Sequence, residues 1–163
     1  MAQTDYFLDI DGIKGDSTDK KFKGKIDVQS WSWGESNAGT AGQGGGHGAG
    51  KVSMQDFHFT MTCGISSPKL LLACANGEHI KKAVMTCRKA GTDQQEYLVV
   101  TFEGVMISSF QTGGSGGAGV IPTDQIGLSY EKMKYEYRPQ NDNGTLGAPV
   151  AAGWDLTANV KYG

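Results

Sequence analysis

The clearest chemical pattern in the sequence lies in Gly45–Lys51, which reads GGHGAGK and fits the G-x-x-x-x-G-K pattern of a phosphate-binding loop. In such a loop the backbone N–H groups and the lysine hold the phosphates, and a Ser or Thr directly after the lysine binds Mg²⁺. Here Val52 follows Lys51, and an alternating strand pattern stands where the N-terminus of a helix is needed. We therefore expect no nucleotide site and no cofactor.

Metal binding and covalent catalysis are also poorly supported. The three cysteines Cys63, Cys74 and Cys87 are spaced by 11 and 13 positions, which is no zinc signature even with His79 added. Three thiols cannot all pair within one chain, so we expect reduced, buried cysteines that act as small hydrophobic residues. No Ser or Cys stands in a nucleophile motif with a recognisable base. We expect no metal site, no catalytic residues and no enzymatic activity.

Composition indicates a globular domain. The chain has 163 residues, 38% of them hydrophobic and 20% charged, and we expect residues 1–163 to form one domain. A formal net charge of −2 argues against nucleic-acid binding. No apolar stretch reaches the ~18–20 residues that span a bilayer, and the N-terminus lacks a signal-peptide pattern. We therefore expect synthesis in the cytoplasm and no direct membrane insertion.

Most of the chain carries strand patterns. The spacing predicts seven or eight antiparallel strands in a closed barrel or a sandwich. Changes of alternation phase near Ser30, Gln55 and Glu131 suggest bulges, which curve sheets and favour the barrel. One short flanking helix is predicted over 67–76, with Ser67 as its N-cap and Gly77 as its end. Its apolar character over most of its girth predicts that it is largely buried.

Glycine is the outlier in composition. Eight of the 25 glycines lie in Gly34–Lys51, a long loop with few apolar side chains. Loops beyond about 12–15 residues are usually functional or disordered. We expect this extended Gly-rich loop to order when it meets another molecule. In the strand before it, alternation turns Trp31 and Trp33 to one face and Ser32 to the other.

Several motifs together resemble the haemolysin-coregulated protein (Hcp) family, the tube proteins of bacterial type VI secretion systems. The resemblance spans nearly the whole chain, in order. It rests on Ser30-Trp31-Ser32-Trp33-Gly34, Gly50-Lys51-Val52, Asp56-Phe57-His58-Phe59, Ser67-Pro68-Lys69-Leu70, Ala73-Cys74-Ala75-Asn76-Gly77, Arg88-Lys89-Ala90-Gly91, Glu96-Tyr97-Leu98, Thr112-Gly113-Gly114-Ser115-Gly116-Gly117, Tyr137-Arg138-Pro139-Gln140 and Gly153-Trp154-Asp155.

The resemblance implies a β-barrel flanked by a helix that assembles as a homohexameric ring. Such rings stack into a hollow tube inside a contractile sheath and below a spike protein, and the tube is exported into the medium or a target cell. Its lumen can hold and protect effector proteins. Some relatives carry a fused effector domain, whereas here we expect the bare tube subunit. A monomeric β-barrel that binds a small ligand or a protein is the alternative function.

Site residues follow from the resemblance and the glycine pattern together. We expect a ring-stacking arm and a second glycine loop, because glycine lets backbones approach closely. Ser32 is the candidate lumen-facing residue that contacts cargo, with a solvated outer-face position as the alternative, and Trp31 and Trp33 are the expected core anchors. The arm comprises Gly39, Gly42, Gly44, Gly45, Gly46, Gly48, Gly50 and Lys51, and the second loop comprises Gly113, Gly114, Gly116 and Gly117.

Overall fold

A computed structural model describes residues 4–39, 51–89 and 94–163. Within these ranges the chain forms twelve β-strands and one α-helix. In chain order they are β1 Thr4–Ile10, β2 Ile26–Val28, β3 Ser30–Ser32, β4 Glu35–Asn37, β5 Val52–Met54, β6 Phe57–Thr62, α1 Ser66–Asn76, β7 His79–Lys89, β8 Glu96–Gly113, β9 Thr123–Ser129, β10 Lys132–Tyr137, β11 Val150–Asp155 and β12 Val160–Lys161. No helix in the described part of the chain is long and apolar enough to cross a membrane.

Strand β8 is the spine of an antiparallel sheet of ten strands. Its first half lies between β7 and β10, and its second half pairs with β9. Gly104, with φ +63°, lies just before this change of partner. One branch runs β8-β9-β6-β3, a second runs β7-β1-β2, and a third runs β10-β11-β12. Strands β4 and β5 form a separate hairpin.

The mainly β prediction is confirmed, but the closed barrel is wrong. Strand β2 pairs with β1 and strand β3 pairs with β6, so the described pairings do not close into a barrel. The change occurs at Gln29, whose N–H donates to the Thr60 carbonyl (2.9 Å), so the chain leaves β1 here and joins β6. The predicted seven or eight strands were also too few, because the three phase changes are breaks between separate strands.

The hydrophobic core lies on one face of the ten-stranded sheet. In β6 the buried Phe57, Phe59 and Met61 alternate with exposed or half-buried polar residues. The Phe102 ring contacts Phe57 at 4.9 Å and Tyr130 at 4.8 Å, measured between centroids. This aromatic cluster joins β6, β8 and the end of β9, so the interior is continuous across the branches.

Helix α1 differs from its prediction in two respects. It begins at Ser66, and its N-cap is Ile65 without a side-chain hydrogen bond. Ser67 is therefore not the cap. Its Oγ instead donates to Asp124 Oδ2 (2.5 Å) on β9 and accepts the N–H of Gly64 (3.0 Å). Gly77 ends the helix in the left-handed conformation (φ 65°), as predicted.

The predicted burial of α1 is only half right. Leu70 and Ala73 are fully buried, whereas Leu71 and Leu72 are 53% and 57% exposed. The helix therefore carries apolar side chains on two sides, and the chain itself covers one of them.

A buried arginine holds the segment between β1 and β2 against the sheet. The Arg88 guanidinium donates to Asp19 (2.6 Å) and to Asp5 (3.3 Å), and lies over the stacked rings of Phe7 and Phe22. The Arg88 hydrogen bond, aided by the backbone N–H groups of Lys21 and Phe22, lowers the pKa of Asp19 to about 2. The segment is thus tied down by a specific ion pair.

Candidate functional site

The branch β3-β6-β9-β8 presents a polar face on the side away from the core. Cross-strand register aligns Ser32 with His58, which lies opposite Gly127, which in turn lies opposite Ser109. The ten residues that form this face carry no carboxylate, ammonium or guanidinium. The neighbouring carboxylate is that of Asp56, which accepts a hydrogen bond from Ser108 (2.6 Å) beside Gly127. We call this polar face the neutral face, and it consists of Ser30, Ser32, His58, Thr60, Thr62, Ser109, Gln111, Thr123, Gln125 and Gly127.

Hydroxyl and amide groups of the neutral face are available for hydrogen bonding. Ser30 Oγ and Thr60 Oγ1 share a hydrogen bond (2.6 Å) across β3 and β6. The middle of the face is a depression of about 350 Å³ lined by residues of all four strands. Gly127 forms the floor of this depression. A side chain there would clash, because a Cβ would lie 2.5 Å from Ser109 Oγ and 3.2 Å from His58 Cε1. This surface can bind a polar partner through dipoles, and the only carboxylate that the described contacts bring to its edge is that of Asp56, held by Ser108.

Ser32 is exposed on the neutral face, opposite the side that holds the tryptophans. Trp31 and Trp33 are half-buried and pack against the edge of the core. The Trp31 ring stacks on Phe57 (centroids 6.0 Å apart) and meets Tyr6 edge-on, while Trp33 Nε1 donates to the Tyr130 hydroxyl. Burial raises the pKa of that hydroxyl to about 12.

The second glycine loop and the β4–β5 hairpin, which flanks the arm, lie at opposite ends of the neutral face. The second loop, with exposed Gly113, Gly114, Gly116 and Gly117, joins β8 to β9 where β6 ends at Thr62. The β4–β5 hairpin leads to the arm at the other end, where β6 begins. In the arm, Gly39 and Lys51 are exposed, whereas Gly42, Gly44, Gly45, Gly46, Gly48 and Gly50 lie outside the described residues.

The cysteines are in three different environments. Cys87 is fully buried, Cys74 is half-buried and Cys63 is exposed, so the prediction of three buried thiols is wrong for Cys63. Burial raises the pKa of the Cys87 thiol to about 12. No group of three or more His, Cys, Asp or Glu side chains able to hold a metal ion occurs among the described residues.

Sequence reasoning gave a lumen role only to Ser32 of the neutral face, and placed His58 on the face opposite Phe57 and Phe59. Alternation in β6 and β9 could have identified the rest, since polar residues alternate there with buried apolar ones. The buried Asp124 was also missed. Its chain neighbours Thr123 and Gln125 are polar and do not signal a buried position, and only the fold brings Ser67 to it.

Comparison with known proteins agrees with this geometry. The family described as "Type VI secretion system effector, Hcp" matches residues 7–137. Protein hcp1 of Pseudomonas aeruginosa is 43% identical over 159 residues, which cover 96% of this chain and 98% of that protein. The crystal structure of Hcp1 from Salmonella typhimurium is 33% identical, covers 99% of this chain and 100% of that one, and superposes with a TM-score of 0.80.

A further solved structure, described as a type six secretion system protein, gives a TM-score of 0.93 at 30% identity, with 98% of this chain and 100% of that one covered. The fold and these comparisons define a mainly β protein of type VI secretion systems. The chain belongs to the Hcp family.

Proposed function

We propose that the chain is the subunit of a type VI secretion inner tube, in which hexameric rings stack head-to-tail and are exported with effector proteins in the lumen. The observation that carries the proposal is the neutral face, a four-stranded sheet whose two edges are unpaired among the described residues, with the β4–β5 hairpin at one end and the second glycine loop at the other. Sheath and spike proteins are the further partners in this proposal, and the subunit itself, a single domain over 1–163, acts structurally and not as an enzyme.

Ring closure follows from the edges of the sheet. Among the described residues, β3 pairs only with β6, and β8 beyond Met106 pairs only with β9. Exposed edges promote pairing with another chain. Because β3, β6, β9 and β8 alternate in direction, the β8 edge of one copy is antiparallel to the β3 edge of the next. Repetition around a ring thus continues one antiparallel ladder, and the number six comes from the family resemblance.

Stacking follows from the two ends. A head-to-tail contact between unlike surfaces generates an open filament. The β4–β5 hairpin, whose strands lead into and out of the arm, lies at one end of the neutral face, and the loop of Gly113, Gly114, Gly116 and Gly117 lies at the other. We therefore expect axial repetition to bring the arm of one copy against this loop of the next. Val120 and Ile121, 55% and 61% exposed beside this loop, supply apolar area for such a contact.

In this arrangement the neutral face lines the lumen, and Ser32 is one of its cargo-contacting residues. The apolar side of the same strands lies in the core, so the polar side is the one left to face water or cargo. Trp31 and Trp33 support the strand from behind.

Multi-angle light scattering with negative-stain imaging tests the proposal. We expect a species of six times 17.3 kDa and ring-shaped particles. A mass of 17.3 kDa at every concentration would refute the ring and favour the monomeric binding module. Deleting Thr40–Gly48 should leave ring mass unchanged and weaken stacking, and replacing Ser32 by Trp should leave rings intact and reduce cargo retention.

A further inference from the structure

The outward side of α1 is apolar and uncovered in the single chain. Leu71, Leu72 and the preceding Ile65 are 53%, 57% and 59% exposed. On a helix, positions three and four apart share a side. We call this side the outer stripe, and it consists of Ile65, Pro68, Leu71, Leu72 and Ala75.

Helix α1 lies close to the unpaired edge of β8. Its first turn is tied to β9 through the Ser67–Asp124 hydrogen bond, and it leads directly into β7, which begins at His79 opposite Met106 of β8. The helix packs against β8 through its buried side, Leu70 and Ala73. It therefore occupies the core side of the sheet, next to the stretch of β8 that has only β9 as a neighbour.

The opposite edge of the same sheet also has an incompletely covered apolar surface on its core side. There Trp31 of β3 is only half-buried, held between Tyr6 (6.1 Å between centroids, 84° between planes) and Phe57. Its neighbour Trp33 is half-buried as well. Trp31 is thus an incompletely covered apolar residue on the edge strand that the β8 edge of another copy would join.

We propose that Leu71 and Leu72 of the outer stripe pack over Trp31 of the adjacent copy in the ring. This inference rests on the proposed edge-to-edge ring, because pairing β8 of one copy with β3 of the next brings the helix behind β8 towards the tryptophan behind β3. A second copy of the chain fits this surface, because the outer stripe of each copy then covers Trp31 of one neighbour, while its own Trp31 is covered by the outer stripe of the other neighbour. The contact stabilises the pairing of β8 with β3 of the next copy from the core side of the sheet.

The experiment uses Trp31 as the reporter. Trp31 is the remaining tryptophan in a variant that carries Trp33→Phe and Trp154→Phe. Its fluorescence emission should shift to shorter wavelength when the diluted protein assembles, because the indole of Trp31 becomes buried. Leu71→Ser with Leu72→Ser should raise the concentration needed for assembly at least tenfold and abolish the shift. Val150→Ser with Val160→Ser, which replaces two exposed apolar residues of β11 and β12 (68% and 51% exposed), is the matched control and should assemble normally.

The outcomes are separable. Rings that assemble at an unchanged concentration with Leu71→Ser and Leu72→Ser would overturn the inference and leave the tube function standing. An unmodified protein that stays at 17.3 kDa at every concentration would overturn both. If the double tryptophan variant does not fold by circular dichroism, the mass of the leucine variant in the unmodified chain decides the matter, since both leucines are exposed and their replacement leaves the core intact.

Discussion

Two adjacent serines of α1 should differ sharply in their contribution to stability. Both are buried, at 3% exposure for Ser66 and 8% for Ser67. Ser67 Oγ donates to the fully buried Asp124, whose other carboxyl oxygen has no hydrogen-bond partner among the described residues, and also accepts the Gly64 N–H. Within the same described part of the chain, the hydrogen bond of Ser66 Oγ is to the Met61 sulfur at 3.4 Å.

Replacing Ser67 by Ala removes the partner of a buried carboxyl group, which costs about 1–3 kcal/mol. A backbone N–H also loses its acceptor, so we expect about 2–3 kcal/mol for Ser67→Ala. For Ser66→Ala we expect less than about 1 kcal/mol, because a thioether is a weak acceptor. At about 2–4 °C per kcal/mol for a chain of this size, the melting temperatures should fall by roughly 4–12 °C and by less than about 4 °C.

Urea unfolding followed by circular dichroism, at one protein concentration and with the m-value checked for constancy, measures the difference. The concentration must be fixed because assembly adds to apparent stability. Equal losses from the two serines would refute the idea that the Asp124 hydrogen bond anchors α1 to β9. A stable Ser67→Ala variant would refute it as well.

Three other predictions concern charge, thiol access and backbone strain. The pKa of Asp19 is lowered to about 2 in the fold, below its ordinary value of 3.8. The stabilising contribution of Asp19 is therefore complete above pH 3.8 and disappears as the pH falls towards 2. Asp19→Asn should lower the urea midpoint at pH 7 and have little effect at pH 2. Cys63 should react with a thiol reagent in the native protein, whereas Cys87, buried and with a pKa of about 12, should react only on unfolding, and rapid native labelling of both would contradict the fold. Gly104→Ala should cost about 1–2 kcal/mol in thermal unfolding because φ is +63° and the new Cβ would meet Glu131, while Gly113→Ala, with open space around it, should cost nearly nothing.

Local features of the fold were predictable from sequence because their causes are local. Gly77 ends α1 since the left-handed conformation favours glycine there. Alternation in β6 identified its buried side for the same kind of reason. The phase changes near Ser30, Gln55 and Glu131 were correctly located but misread as bulges within longer strands.

The failures involve contacts between distant parts of the chain. Whether a sheet closes depends on which edges meet, and the transfer of the chain at Gln29 from β1 to β6 is decided by Thr60, far along the sequence. Ser67 is a residue type that commonly caps helices, yet its hydroxyl donates a hydrogen bond to Asp124 instead. The outer stripe shows the same limit, since the helix pattern indicates apolar sides without indicating whether the same chain covers both.

The neutral face has a kinetic consequence. A wall with fixed charges would hold an oppositely charged passenger in deep electrostatic minima, and the depth would change with salt. A wall of hydroxyls and amides, such as Ser30, Thr60 and Gln125, exchanges one modest hydrogen bond for another or for water as the passenger advances. If this face lines the lumen as proposed, movement along it meets a series of low barriers, and a passenger held by many weak contacts can slide out at a speed that depends little on ionic strength.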